Sequence, residues 1–194
     1  MHPLIKHFSI FTTFTQEEEN AILNSMIILH FKKGDIILKE SDIDNNTFFV
    51  VKGLVRQYKM VDGNDLSIDF FAENEWIIPL NSFNQDKKAK NFLTCLEDTE
   101  LITGNEASAQ ALFKIFPRFE TISRAVMENT FAKKQALLQA FQTDSPAQRY
   151  ENFIRHKPDM LQRIPQYYIA SYLGLTPESL SRIRKRISSQ KEAK

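Results

Sequence analysis

Gln166-Tyr-Tyr-Ile-Ala-Ser-Tyr-Leu-Gly-Leu-Thr-Pro-Glu-Ser-Leu-Ser-Arg-Ile-Arg-Lys185 encodes two short helices crossed around a glycine turn. Ile169, Leu173, Leu175, Leu180 and Ile183 recur at steps that give the two helices one shared apolar seam. Ala170 is small where the helices must approach, and Gly174 supplies the left-handed backbone of the turn. Thr176 is a natural N-cap. Pro177 suits the first helical position because the N–H it lacks would have no intrahelical partner there, and Glu178 sits in the positive first turn. A helix-turn-helix over 166–187 follows.

On its second helix, Glu178, Ser181, Arg182 and Lys185 fall at steps of three and four, which set them on one face with the right length for a major groove. Arginine there forms a bidentate contact to guanine, and glutamate accepts from the cytosine amino group, so these four are the expected base-reading residues. Tyr167, Thr176, Ser179, Arg184 and Arg186 are placed for the phosphate backbone. The plainer alternative makes Glu178 a servant of the helix dipole and Arg182 a solvated charge. Charge placement argues for DNA: from Arg149 onward ten basic residues face four acidic ones, a net +6, although the whole chain carries only +1. The remaining 148 residues hold −5. A mildly acidic body thus carries a basic tail domain, and a polyanionic partner is expected for the tail.

Upstream, Thr143-Asp-Ser-Pro146 stops one helix and starts the next, which runs over 146–156 to Pro158. Before it, apolar residues at Phe119, Ile122, Val126, Met127, Phe131, Leu138 and Phe141 predict one long helix over 119–141, suited to pairing with a copy of itself. From Ile27 to Thr103 the pattern is short β-rich runs between turns, with strands expected at 27–31, 36–39, 48–51, 54–60, 66–71 and 92–96. Gly34-Asp35 and Lys52-Gly53 mark turns, and Asp62-Gly63 signals a tight hairpin. Many of the sixteen phenylalanines fall in this body and fill its core. The first 25 residues read as a helical strap, with Thr15 and Glu18 spaced as a capping box.

The function classes that this composition excludes are several. One cysteine, Cys95, in the apolar run Phe92-Leu-Thr-Cys-Leu96, rules out internal disulfides and reads as a small buried hydrophobe. No leader pattern and no apolar stretch of spanning length appears, so a cytoplasmic protein without membrane contact is expected. There is no phosphate-binding glycine loop, metal-ligand cluster or nucleophile elbow, so no enzyme is expected.

With Glu178-Ser-Leu-Ser-Arg182 opening its second helix, the order β-rich body, long helix, helix-turn-helix resembles the Crp/Fnr family of bacterial transcription regulators. The resemblance implies an α+β protein: an N-terminal β roll of cyclic-nucleotide-binding type (a double-stranded β-helix, jelly-roll-like), a long dimerisation helix, and a C-terminal winged-helix-like helix-turn-helix. It divides the chain into a sensor domain at 1–115, a dimerisation helix at 116–143 and a DNA-binding domain at 144–194. Family members that read a TTGAT-like half-site carry the spacing of Glu178, Ser181 and Arg182, so a palindrome with TGA in each half is implied. Pro177 stands where some relatives have another base-reading arginine, and residues 159–164 leave room only for a reduced wing.

The sensing half departs from the nucleotide-binding pattern. Relatives that bind cyclic nucleotide hold ribose and phosphate with a glycine-glutamate pair and an arginine. Here Phe71-Ala-Glu-Asn-Glu-Trp76 and Asn84-Gln-Asp-Lys-Lys-Ala-Lys90 keep Glu73 without the glycine or the arginine. Phe71, Glu73, Trp76, Lys87 and Lys88 are the candidate effector pocket, with lysine lacking the planar fork that grips a phosphate and Trp76 suited to an apolar ligand or to the core. An iron-sulfur cluster needs about four thiolates, and His2, His7, His30 and His156 show no haem-ligand spacing, so no cofactor is expected. The expected partners are double-stranded DNA and a second copy of the chain, with RNA polymerase and an unidentified small-molecule effector as further candidates. Two other readings stay open: a non-catalytic interaction or ligand-binding module built on the roll, and a true cAMP- or cGMP-responsive regulator.

Overall fold

The computed structural model describes residues 1–43, 45–78 and 88–192, and the side chains up to residue 189. Helices α1 (Pro3–Phe8) and α2 (Gln16–Ser25) open the chain, and Thr15 caps α2 reciprocally with Glu18, as the sequence spacing predicts. Eight strands follow: β1 (Ile27–Phe31), β2 (Ile36–Leu38), β3 (Thr47–Lys52), β4 (Val55–Val61), β5 (Asn64–Phe71), β6 (Trp76–Ile77), β7 (Phe92–Cys95) and β8 (Thr99–Gly104). They form two four-stranded sheets in the orders β1-β8-β3-β6 and β2-β7-β4-β5. The six strands expected from sequence are present within a residue or two. Two are additional: β6, a two-residue strand paired to Phe48 and Phe49, and β8, the central strand between β1 and β3.

Alternation along these strands decides which side chains meet. Phe48, Val50, Val55, Phe71, Ile77, Leu93 and Leu101 turn inward between the two sheets. Phe49 and Ile102 face the other way and pack under Leu4, Ile5, Ile22, Phe119 and Ile122 from the helices. The central strands β3 and β8 of the first sheet are therefore covered on both faces, which is why they lack a clean polar alternation. Turns behave as their residues require: Asp62 and Gly63 both have positive φ, at 50° and 79°, the geometry of a tight hairpin whose twist matches its strands. Cys95 is buried, and burial pushes its thiol up to about 11, which makes it inert at neutral pH.

Helix α3 (Glu106–Ile115) is separated from α4 (Arg118–Thr143) by Phe116-Pro117, so the helical pattern that begins after Glu106 is divided into two helices. The chain divides into two compact units, the first comprising Met1–Gln57 and Phe70–Ala132, the second Tyr58–Asp69 and Lys133–Lys194. The second unit contains α5 (Pro146–His156), capped by Ser145, a 3-10 turn (Pro158–Gln162), α6 (Gln166–Tyr172) and α7 (Pro177–Glu192). Among its described residues no hairpin follows α5, and the 3-10 turn leads directly to α6. The hairpin tip engages these helices: Ser67 N–H donates to Ser171 Oγ at 2.9 Å, and buried Asp69 pairs with Lys134 and with Lys157. No helix among the described residues is long and apolar enough to cross a membrane.

The core of the second unit sets the pose of α7. Ile169, Ala170, Leu173 and Leu180 are essentially inaccessible, with Tyr150, Phe153, Met160 and Tyr172 around them. Leu180→Ala is expected to cost about 3 kcal/mol, the transfer term plus the cavity it leaves, read as a shift in urea midpoint with unchanged slope. Leu180→Met, of similar volume, should cost less than half of that.

Candidate nucleic-acid interface

Each feature of the turn before α7 is there for a local reason. Gly174 has φ +67°, the left-handed conformation the sequence calls for. Leu175 N–H returns to the Ala170 carbonyl at 2.9 Å, closing the end of α6. Thr176 Oγ1 then accepts the Ser179 N–H at 3.2 Å, which makes it the N-cap, and Pro177 is the first helical residue. The seam predicted from sequence is present. Ile169, Leu173 and Leu180 are buried, and Leu175 and Ile183 are half-buried at its edges.

With that seam turned inward, the opposite side of α7 is open. Glu178, Ser181, Arg182 and Lys185 are all exposed, on the face their spacing dictates. Hydrogen bonds from its own backbone N–H and from the Thr176 hydroxyl hold the Glu178 carboxyl below its ordinary pKa, with the Arg182 charge adding to the effect. Glu178 is therefore an acceptor only at neutral pH. Arg182 reaches back one turn, its Nη2 donating to Ser179 Oγ at 3.4 Å. Its charge acts on the Glu178 carboxyl, the smallest of the causes that lower that group's pKa.

The residues expected at phosphates are placed less uniformly. Thr176, Arg184 and Arg186 are exposed and Tyr167 is 54% exposed, whereas Ser179 is half-buried and already hydrogen-bonded within the cap. Arg184 Nη1 donates to Gln166 Oε1 at 2.6 Å, a bond that ties α7 to the start of α6. Sequence reasoning missed that tie, because residues 18 apart carry no local mark of meeting. Tyr167 and Tyr168 stand ring to ring at 4.1 Å at the start of α6.

The candidate effector residues are not gathered in one place. Phe71 is in the interior between the sheets, while Trp76 lies beside Phe49 on the outer face of the first sheet, ring centroids 5.1 Å apart. Glu73 Oε1 accepts the Gly53 N–H at 2.9 Å and so supports the turn between β3 and β4. Lys88 is exposed, in an isolated bridge with Ile43; Lys87 lies outside the described residues. Among the described residues no group of histidine, cysteine and carboxylate side chains is arranged to hold a metal.

Residues 28–115 match the family model of the cyclic nucleotide-binding domain. No curated protein matches the chain by sequence. Among solved structures the chain is similar to FixK2 from Bradyrhizobium japonicum, at 18% identity over 85% of each chain with a TM-score of 0.71. It is also similar to a transcriptional regulator of the Crp/Fnr family from Eubacterium rectale, at 18% identity over 95% of this chain and 88% of that one, TM-score 0.66. A third is the catabolite activator protein of Thermus thermophilus, at 17% identity over 93% of this chain and 86% of that one, TM-score 0.56.

Proposed function

We propose, from the premise that this chain has the fold of the Crp/Fnr transcription regulators, that it is a sequence-specific DNA-binding regulator acting as a homodimer on a palindromic site. The observation that carries the reading is the open face of α7, where Glu178, Ser181, Arg182 and Lys185 stand exposed above a buried seam. Packing does not require those four residue types there, and helix stability accounts for Glu178 alone. A guanine-reading fork one helical turn from a carboxylate that is ionised at neutral pH suits a half-site containing TGA, the carboxylate taking the cytosine amino group on the opposite strand.

The dimer is supported by α4. Phe131 and Leu138, seven residues apart on that helix, are 58% and 62% exposed, whereas Phe119, Ile122 and Val126 nearer its start are buried. A seven-residue apolar repeat left in water is what a parallel helix pair covers. Two copies of α7 then meet two half-sites about one helical turn of DNA apart. A cyclic nucleotide is not the effector in this reading. Glu73 is committed to Gly53, and relatives' phosphate-gripping arginine has no counterpart between Phe71 and Trp76 or in Lys88–Lys90.

Selection from a random oligonucleotide pool tests the proposal, with an inverted repeat of TGA as the expected enriched word. Recovery of no word would end it. In the same system Arg182→Ala is expected to weaken binding to the selected site by about 10- to 100-fold while leaving random-sequence affinity within about 3-fold, the signature of a lost base contact. Equal losses on both DNAs would remove Arg182 from the base-reading set.

A further inference from the structure

We propose, resting on a dimer that reads DNA through α7, that Asp69 is a positioning residue for that helix: from the hairpin between β4 and β5 it ties α4 to the far end of α5, and so sets the separation at which two copies of α7 meet their half-sites. Hairpin residues Tyr58–Asp69 belong to the same compact unit as Lys133–Lys194. Within that hairpin stretch of β5 the buried residues are Ser67 and Asp69, while Leu66 and Ile68 are 45% and 37% exposed. The usual polarity is inverted. Apolar burial alone would turn Leu66 and Ile68 inward, since a slip of one residue exchanges the two faces of a strand. What holds the polar side inward is a set of specific bonds.

Those bonds reach three successive helices. Asp69 Oδ2 pairs with Lys134 Nζ of α4, Asp69 Oδ1 lies 3.7 Å from Lys157 Nζ at the C-cap of α5, and the Ser67 N–H donates to Ser171 Oγ of α6 at 2.9 Å. Only Asp144 and Ser145 separate α4 from α5, a joint that leaves the two helices free to swivel unless they are braced. Close to the joint, Asn152 Nδ2 donates to Asp144 Oδ2 at 2.7 Å. Far from it, the Asp69 carboxylate spans the open end. Lys134 lies nine residues before Thr143, and Lys157 just past the eleven-residue α5, so the two arms are about 14 and 17 Å long. With such arms, about 3 Å of slack at the carboxylate becomes about 12° at the joint. Asp69→Asn leaves two ammonium groups around a neutral amide, and like charges part. Because α7 packs on α5 and α6, it swings with them. Helix α4 is the one that pairs in the dimer, so this angle becomes the distance between the two copies of α7.

Fluorescence anisotropy on the full-length protein tests this with three DNAs: the selected inverted repeat, the same repeat with one base pair added to or removed from its spacer, and a single half-site. One base pair changes the half-site separation by about 3.4 Å, which the unaltered protein is expected to penalise about 30-fold. In Asp69→Asn that penalty should fall to about 5-fold, while affinity for the single half-site stays within about 3-fold. Lys157→Gln removes only the α5 arm, at a side chain 22% exposed, and gives the same pattern should the buried substitution not fold. An unchanged spacer penalty overturns the role of Asp69 and leaves the DNA-reading role of α7 standing. Affinity for the single half-site that falls as far as affinity for the whole repeat also overturns it, because Asp69 would then only hold the helix-turn-helix together. Recovery of no enriched word removes the DNA-reading role itself, and the spacing role with it.

Discussion

Raising salt from about 50 to 200 mM should weaken binding of the dimer to its selected site about a thousandfold, with log affinity falling against log salt at a slope near −5. The figure follows from the cations that α7 carries. Lys185 lies beside Arg184 and Arg186, all three exposed, so two copies bring six charges to the duplex, and each neutralised phosphate contributes about −0.9 to the slope. Arg184 is already held by Gln166, so little rotamer freedom is lost when it meets a phosphate. The chain as a whole cannot supply this dependence. Its net charge is +1, and the 148 residues before Arg149 sum to −5, so attraction to DNA must come from the tail. Arg186→Ala should therefore reduce the slope by about 2 in a dimer and weaken selected and random DNA alike. Fluorescence anisotropy across a salt series measures both, and a slope shallower than about −2 would mean that α7 meets something other than a phosphate backbone.

The turn, cap and seam that present α7 were legible in the sequence because their constraints are local. Gly174, Thr176 and Pro177 each answer to the backbone within three or four residues, and the buried seam is a helical repeat readable without a partner. The same holds for the Thr15–Glu18 capping box and for the Asp62-Gly63 turn. Strand β8 was hidden for the opposite reason. Thr99-Glu-Leu-Ile-Thr-Gly has two apolar residues in six, and its strand character comes from pairing with β1 and β3, some 50 to 75 residues away. Strand β6 is only Trp76-Ile77, made a strand by Phe48 and Phe49.

The sensing half shows the limit most clearly. Phe71, Glu73, Trp76 and the lysines are neighbours in sequence, but strand alternation sends Phe71 inward and Trp76 outward, so proximity along the chain does not make a pocket. A cavity on the outer face of the first sheet brings residues 4–26 together with residues 102–127, and nothing in Phe8 or Leu112 announces that meeting. Arg56 makes the same point for burial. In the strand expected at 54–60 it is 1% exposed, a cation enclosed by a fold whose closure no single strand encodes.

Gly53→Ala is expected to destabilise the first unit by about 4 kcal/mol, far more than a methyl group added at the neighbouring hairpin. Two costs add. At φ +101° an L side chain sits against its own carbonyl, worth about 1–2 kcal/mol. The new Cβ would also stand 2.7 Å from the Asp98 carbonyl oxygen and 2.8 Å from the Thr99 Cα, both backbone atoms that no rotamer change can move, and such overpacking adds about 1–3 kcal/mol. The segment that would have to yield is anchored: Asp98 accepts the Lys33 N–H at 3.0 Å and pairs with Lys32, while Gly53 N–H is held by Glu73. Gly63 provides the control, since its φ of +79° carries the same strain but nothing lies within 4 Å of an added Cβ. Gly63→Ala should therefore lose only about 1–2 kcal/mol. Urea unfolding of the two variants separates crowding from strain. Were they to fall within 1 kcal/mol of each other, the close approach of the β3–β4 turn to Asp98 and Thr99 would not be what makes glycine necessary at position 53.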